Sequence, residues 1–225
     1  MAMGGVVKLL GTWTSPYAMR PSIALNLKSV QYEFLQDPYG SNRSLLHEYN
    51  PVYKKIPVLI HNQRPICESM VIIQYIEDVW PTGPSLFPID PYDRAIARFW
   101  TAYIDDKLFP SLTGVGRGEP GAIEQAVTVF RHLEENFEKC SKGKSFFNGD
   151  TIGLLDIALG CFLPWTRATE SILGMKLFDP AKMPHLEGWA ERFCADDAVK
   201  KVMPSTEKMV EYGKMLHAKY NPAPN

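Results

Sequence analysis

Two lysines, a glutamate and a serine stand within sixteen residues of one another, at Lys54, Lys55, Glu68 and Ser69, in a stretch that reads NPVYKKIPVLIHNQRPICESMVIIQYIEDVW from Asn50 to Trp80. Glu68 and Ser69 precede Met70, Ile73, Ile76 and Val79, whose spacing predicts an amphipathic helix. A helix N-terminus presents unpaired N–H groups and positive potential, so Ser69 can hold a carboxylate with its amide and hydroxyl together. Glu68 beside it can take an ammonium group, and Lys54 and Lys55 can meet a second carboxylate. Between these groups, Pro57 opens a strand without a ladder donor, and a cis bond there would leave the Ile56 backbone free to pair with an extended ligand. The set suits a molecule with an amino-acid head, a peptide middle and a carboxylate tail. Each piece also has an ordinary structural use: Ser69 as a helix cap, Glu68 as a first-turn acid, the lysines as solvated loop charges.

The elements that must position these groups follow from the pattern around them. Ile56 to Ile60 reads as a strand, His61 to Arg64 as a hairpin loop and Pro65 to Cys67 as a short second strand. Upstream, Val6 to Leu10 is a strand and Gly11 to Thr14 a turn. Ser15-Pro16 then starts a helix to about Leu27, with serine as the cap and proline at the first helical position. Pro21 predicts a kink or an irregular first turn in it. Val30 to Leu35 reads as the next strand, and Asp37 to Tyr49 as a loop and short helix. The order is β-α-β-α-β-β-α.

After Trp80 the composition changes. Residues 81–90 are rich in proline and form the boundary between residues 1–80 and a helical half, 91–225, that begins at Asp90-Pro91. Tyr92 to about Leu112 and Ala122 to about Lys142 are expected helices, separated by the glycines of 114–121. In Phe146 to Asp156, Asp156 stands three residues after Gly153, where it can cap a buried helix, and Ile152 can staple onto Ile157. That helix is expected to run on through Phe162, with Pro164 bending it before Trp165. Pro184 to about Ala195 and Ser205 to about Lys219 complete the expected set.

Composition narrows the function classes. Lys+Arg 24 against Asp+Glu 25 gives a net charge of -1, which argues against nucleic acid or an anionic membrane surface as partner. No apolar run approaches the roughly 18 residues a membrane span needs, and Met1 to Leu10 lacks the basic start of a signal peptide. The four cysteines, Cys67, Cys140, Cys161 and Cys194, have neither Cys-x-x-Cys nor zinc spacing, so no metal is expected and a reduced, cytoplasmic location is.

KKIPVLIHN followed by PICES, together with Ser15-Pro16-Tyr17, resembles the glutathione transferase family, the plant tau class in particular, and the resemblance extends over nearly the whole chain. It implies an α+β protein: a thioredoxin-like glutathione-binding domain over 1–80, a linker at 81–90 and an all-helical domain over 91–225 that contributes a hydrophobic pocket. Glutathione has the head, middle and tail described above, and is the expected co-substrate. By this resemblance Ser15 donates to the sulfur of glutathione and lowers a thiol pKa that is ordinarily about 8.5. Ile56, Glu68 and Ser69 bind the tripeptide. The loop Gly40-Ser41-Asn42-Arg43-Ser44 is one residue shorter than the tau pattern and lacks its lysine, so Arg43 or Lys55 is the cation for the glycyl carboxylate. Tyr17, Phe109 and Trp165 match pocket positions, and Tyr212 in the last helix is placed to close the pocket; aromatics at helical spacing can equally be core. With no cysteine from Thr12 to Ala18, conjugation to hydrophobic electrophiles, or peroxide reduction by glutathione, outranks protein-thiol exchange. A homodimer is implied by analogy. A carrier of hydrophobic metabolites without turnover, and a structural domain of this fold, are the other function classes; the second would not need Ser15, Glu68 and Ser69 together.

Overall fold

The computed structural model describes residues 5–37 and 43–220, apart from the side chains of Arg43 and 217–220. Its first half is the expected series: β1 (Val7–Gly11), α1 (Pro16–Leu27), β2 (Glu33–Gln36), α2 (Arg43–Tyr49), β3 (Val58–His61), β4 (Arg64–Cys67) and α3 (Ser69–Val79). The sheet order is β2-β1-β3-β4, with β1 and β2 parallel and the other two pairings antiparallel. Because successive strand residues face opposite sides, β1 and β3 divide their side chains between two cores. Val7, Leu9 and Leu59 pack with Met19, Ile23, Ile72 and Ile76 of α1 and α3, whereas Leu10, Val58 and Ile60 pack with Leu46 of α2.

Besides shifts of one or two residues at strand ends, such as β3 starting at Val58 and not Ile56, three features differ from expectation. The second strand starts at Glu33, three residues late, because pairing with β1 begins at Lys8↔Glu33, while Val30 N is still donating to Leu25 O at the end of α1. The hairpin turn is Asn62-Gln63 alone, with φ of 50° and 66°, and His61 and Arg64 are already paired across it. Helix α1 is continuous across Pro21, where an irregular turn was expected.

The second half is helical. Asp90 caps α4 (Pro91–Tyr103) through Asp93 N, with Pro91 at the first helical position. The expected single helix to Leu112 is instead α4, a π-helical segment (Ile104–Leu108) and α5 (Phe109–Gly116). In the wider turn Phe109 N donates to Ile104 O, five residues back. This local widening meets the needs of Pro110, which has no N–H for the residue four before it and would crowd that carbonyl. Helix α6 (Ala122–Ser141) buries Ala126, Val129, Phe130, Leu133 and Phe137 at helical spacing. Helix α7 (Leu154–Gly160) is buried along its whole length, and Gly160 is required there, since a Cβ would lie 2.1 Å from the Phe193 ring. The expected bent helix is broken rather than bent: α8 (Leu163–Leu173) begins anew two residues before Trp165, with Pro164 in its first turn. Then come α9 (Pro184–Ala195), the unforeseen short α10 (Asp197–Lys200) and α11 (Thr206–Tyr220).

Asp156 organises the start of α7. Its carboxylate accepts from Gly153 N, Phe147 N, Asn148 N and Trp189 Nε1 at 2.8 to 3.2 Å. Complete burial pushes its pKa up to about 6, against the pull of these four donors.

Candidate functional site

Ser15 lies at the junction of β1 and α1, as its sequence neighbours demand. Its Oγ accepts from Ala18 N at 3.3 Å, which caps the helix, and the hydroxyl keeps its proton for donation. The functional and structural uses of this serine are therefore compatible. It is half-buried at a helix N-terminus, where the potential favours negative charge.

The Ile56–Pro57 bond is cis. Ile56 lines a cleft of about 330 Å³ with Lys54, Lys55, Gln36, Asp37, Leu46, the turn Thr12-Trp13-Thr14 and Tyr212. Lys54 and Lys55, both exposed, supply the positive charge of this cleft. Arg43 opens α2, but its side chain, and the whole of 38–42, lie outside the described residues.

Ser69 is the first residue of α3, not its cap; the cap position belongs to Glu68, whose side chain makes no capping bond. Glu68 has φ 69° and ψ 116°, a sparsely populated conformation for a residue with a Cβ, held just where the chain enters α3. Its side chain is exposed, while Ser69 is buried. Ser69 Oγ accepts from Arg20 Nη1 at 3.3 Å, which leaves its own proton for a ligand.

Arg20 was not singled out from the sequence. Its side chain is fully buried, forms a two-pronged pair with Asp105 at 2.6 and 3.0 Å, and donates to Ala158 O at 3.2 Å. One guanidinium thus ties α1, the start of α3, the π-helical segment and α7 together. The only local signal was a cation in the apolar run of α1, between Met19 and Ile23. Asp105 is 85 residues away and carried none.

Tyr17 is half-buried beneath Arg20, whose Cζ is 4.8 Å from the ring centroid. It also meets the ring of Phe109 edge-on at 5.4 Å and that of Phe162 at 5.9 Å. Burial first, then the Asp105 carboxylate, pushes the Tyr17 hydroxyl up to about 12, so it stays protonated. Phe109 remains 41% exposed, which makes this aromatic group a wall and not only a core. Trp165 and Tyr212 form a second aromatic pair: their rings are 6.0 Å apart, Trp165 Nε1 donates to Thr14 O at 2.8 Å, and Tyr212 meets Trp13 at 5.3 Å. Tyr212 therefore closes the cleft that holds Lys55 and Ile56. Trp13, with Lys208 Nζ 4.2 Å from its ring centroid, joins that wall without having been foreseen.

Among the described residues no cluster of three His, Cys, Asp or Glu is arranged for a metal ion, and no helix is long and apolar enough to cross a membrane. Two family models match the chain, "Glutathione S-transferase, N-terminal domain" over 9–82 and "Glutathione S-transferase, C-terminal domain" over 118–192. It is 55% identical to glutathione S-transferase U17 and 53% identical to U18 of Arabidopsis thaliana, each alignment covering 95% of this chain and 96% of the relative. Among solved structures it is similar to the tau class glutathione S-transferase of mango, Mangifera indica, with TM-score 0.90 and 55% identity over 94% of this chain and 98% of that one. A rice glutathione transferase solved in complex with glutathione matches with TM-score 0.88 and 35% identity, over 96% and 98% of the two chains.

Proposed function

The chain belongs to the glutathione S-transferase family, in its tau class, and from that premise we propose that Ser15 activates the thiol of glutathione for attack on hydrophobic electrophiles. The observation that carries this reading is the Ser15 hydroxyl, which accepts from Ala18 N and so has its proton to give at the N-terminus of α1. A donor and a positive helix end together favour the thiolate over the thiol. The thiol proton passes to solvent, and the thiolate forms a carbon–sulfur bond as a halide or other leaving group departs. Holding both reactants in one site supplies the remainder of the acceleration.

The other contacts follow the ligand's chemistry. Ser69, oriented by Arg20, and the amides at the start of α3 suit the γ-glutamyl carboxylate, and Glu68 suits the ammonium group. The Ile56 backbone pairs with the cysteinyl unit. Lys55, which lines the cleft, meets the glycyl carboxylate. Tyr17 and Phe109 offer an apolar wall to the electrophile, Trp165 adds a further pocket aromatic, and Tyr212 closes the cleft over Lys55 and Ile56. In this reading residues 1–80 bind glutathione, 81–90 connect, and 91–225 supply most of the second pocket.

The protein acts as a homodimer. Support comes from large apolar side chains left exposed at Val52, Tyr53, Ile89, Tyr92 and Phe99, and from a groove that sets Glu77 and Asp78 of α3 against Arg94 and Arg98 of α4. Sedimentation at micromolar concentration distinguishes a dimer from a monomer.

The test of the chemistry is a titration of bound glutathione by thiolate absorbance in the wild type and in Ser15→Ala. The bound thiol of the wild type should titrate below the free one, and the shift should vanish in Ser15→Ala with a loss of about tenfold or more in kcat/KM for an aryl halide. An unshifted thiol in the wild type sinks the mechanism.

A further inference from the structure

We infer that Asn50, which is not placed to touch a ligand, is the positioning residue that aims the Ile56 amide at glutathione; the inference rests on the glutathione reading above. Asn50 follows α2 and is 3% exposed. Its side chain is used at both ends. Nδ2 donates to Lys55 O at 2.9 Å, and Oδ1 accepts from Tyr53 N at 3.1 Å. Its carbonyl accepts from Lys54 N at 2.9 Å, and Lys54 takes φ 53° to close the turn.

The residues so gathered have little else to hold them. Within one protomer Pro51 to Lys55 are all exposed, Val52 at 80% and Tyr53 at 61%, so packing against its own chain does little to hold the loop. Within the protomer its conformation is set by hydrogen bonds to Asn50. Lys54, Lys55 and Ile56 line the cleft and Asn50 does not, so the loop is gripped from behind.

The consequence for the ligand comes from peptide geometry. A peptide unit is planar, and in its trans form the C=O and N–H point in opposite directions. Fixing Lys55 O on Asn50 Nδ2 turns the Ile56 N–H away from Asn50, toward the cleft. The same bond sets where the Lys55 side chain leaves the backbone. If Nδ2 is lost, this peptide can rotate, and glutathione must order it on binding. The reacting sulfur and the second pocket lie on other elements and are not affected.

Asn50→Asp separates positioning from folding. The aspartate keeps an acceptor for Tyr53 N but places a carboxylate oxygen against Lys55 O, where a donor stood. Asn50→Ala removes both bonds. Calorimetric titration with glutathione, steady-state kinetics with an aryl halide and a thermal melt are run on both variants and the wild type. The expected result is a rise of about tenfold in the glutathione Kd for Asn50→Asp, the scale of one lost buried hydrogen bond. The aryl halide KM, and kcat at saturating glutathione, should stay within about twofold. Glutathione binding to Asn50→Asp within about twofold of wild type overturns the inference. So does a loss of kcat, both KM values and melting temperature together, or a failure of both variants to fold, since each makes the role structural only. Failure of the wild type itself to bind glutathione refutes the functional reading, a different outcome from a silent Asn50→Asp.

Discussion

Asp105→Asn should damage folding and glutathione binding at once. The carboxylate holds both terminal nitrogens of Arg20, and the guanidinium side chain has no exposure. The amide can accept only one of those two bonds and turns an NH2 toward the other. Arg20 then keeps Ser69 Oγ and Ala158 O as neutral acceptors for a buried charge. Removing one partner of a buried pair costs about 3–5 kcal/mol. Because the Asp105 side chain is 31% exposed, water can reach the weakened pair, and the lower end, about 3 kcal/mol, applies. For a chain of this size each kcal/mol is about 2–4 °C, so the melting temperature should fall by roughly 6–12 °C. Glutathione KM should rise about tenfold as Arg20, the donor that orients Ser69, loses its anchor, while the Ser15 thiol shift persists. Scanning calorimetry and steady-state kinetics check both. A fall of less than about 2 °C with an unchanged KM would refute the idea that Arg20 couples the two halves at the binding site.

Two further outcomes follow from buried groups. The pKa of Asp156 is raised from 3.8 to about 6 in the folded state, so its contribution to stability is fully present below pH 3.8 and is lost as pH rises through about 6. Wild type should therefore lose up to about 3 kcal/mol relative to Asp156→Asn between pH 4 and pH 7, read from urea midpoints at both pH values; a relative gain over that interval refutes the sign. The cysteines should be slow nucleophiles, because burial raises all four and lifts Cys140 to about 11 and Cys161 to about 12. At pH 7.5 iodoacetamide should alkylate native Cys140 about a hundredfold more slowly than the unfolded chain, and a rate equal to that of a free thiol at any of the four would contradict the packing.

What could be read along the chain was what local chemistry decides. Ser15-Pro16 and Asp90-Pro91 start helices because a capping side chain and a fixed φ act within four residues, and both helices begin there. The spacing of Met70, Ile73, Ile76 and Val79 marked the apolar face of α3, where Ile73 and Ile76 are buried. Ser15, Ile56, Glu68 and Ser69 were legible for the same reason: each sits at a proline or a helix start that is visible in sequence. The elements that depend on partners were not. The start of β2 is set by where β1 offers hydrogen bonds, not by the apolar run at Val30. Ser69 reads locally as a cap, yet Arg20 reaches it across 49 residues and makes it an acceptor inside a charged cluster. No local pattern showed that Tyr212 meets Trp13 and Trp165 where α11 packs on α8, or that Phe109 of α5 meets Tyr17. The sequence alone determined which residues can do chemistry and which helix ends expose them. Only the tertiary structure decided which of them face one another, because burial of a charge such as Arg20 is tolerable only where distant chain supplies Asp105, and no local pattern records that distance.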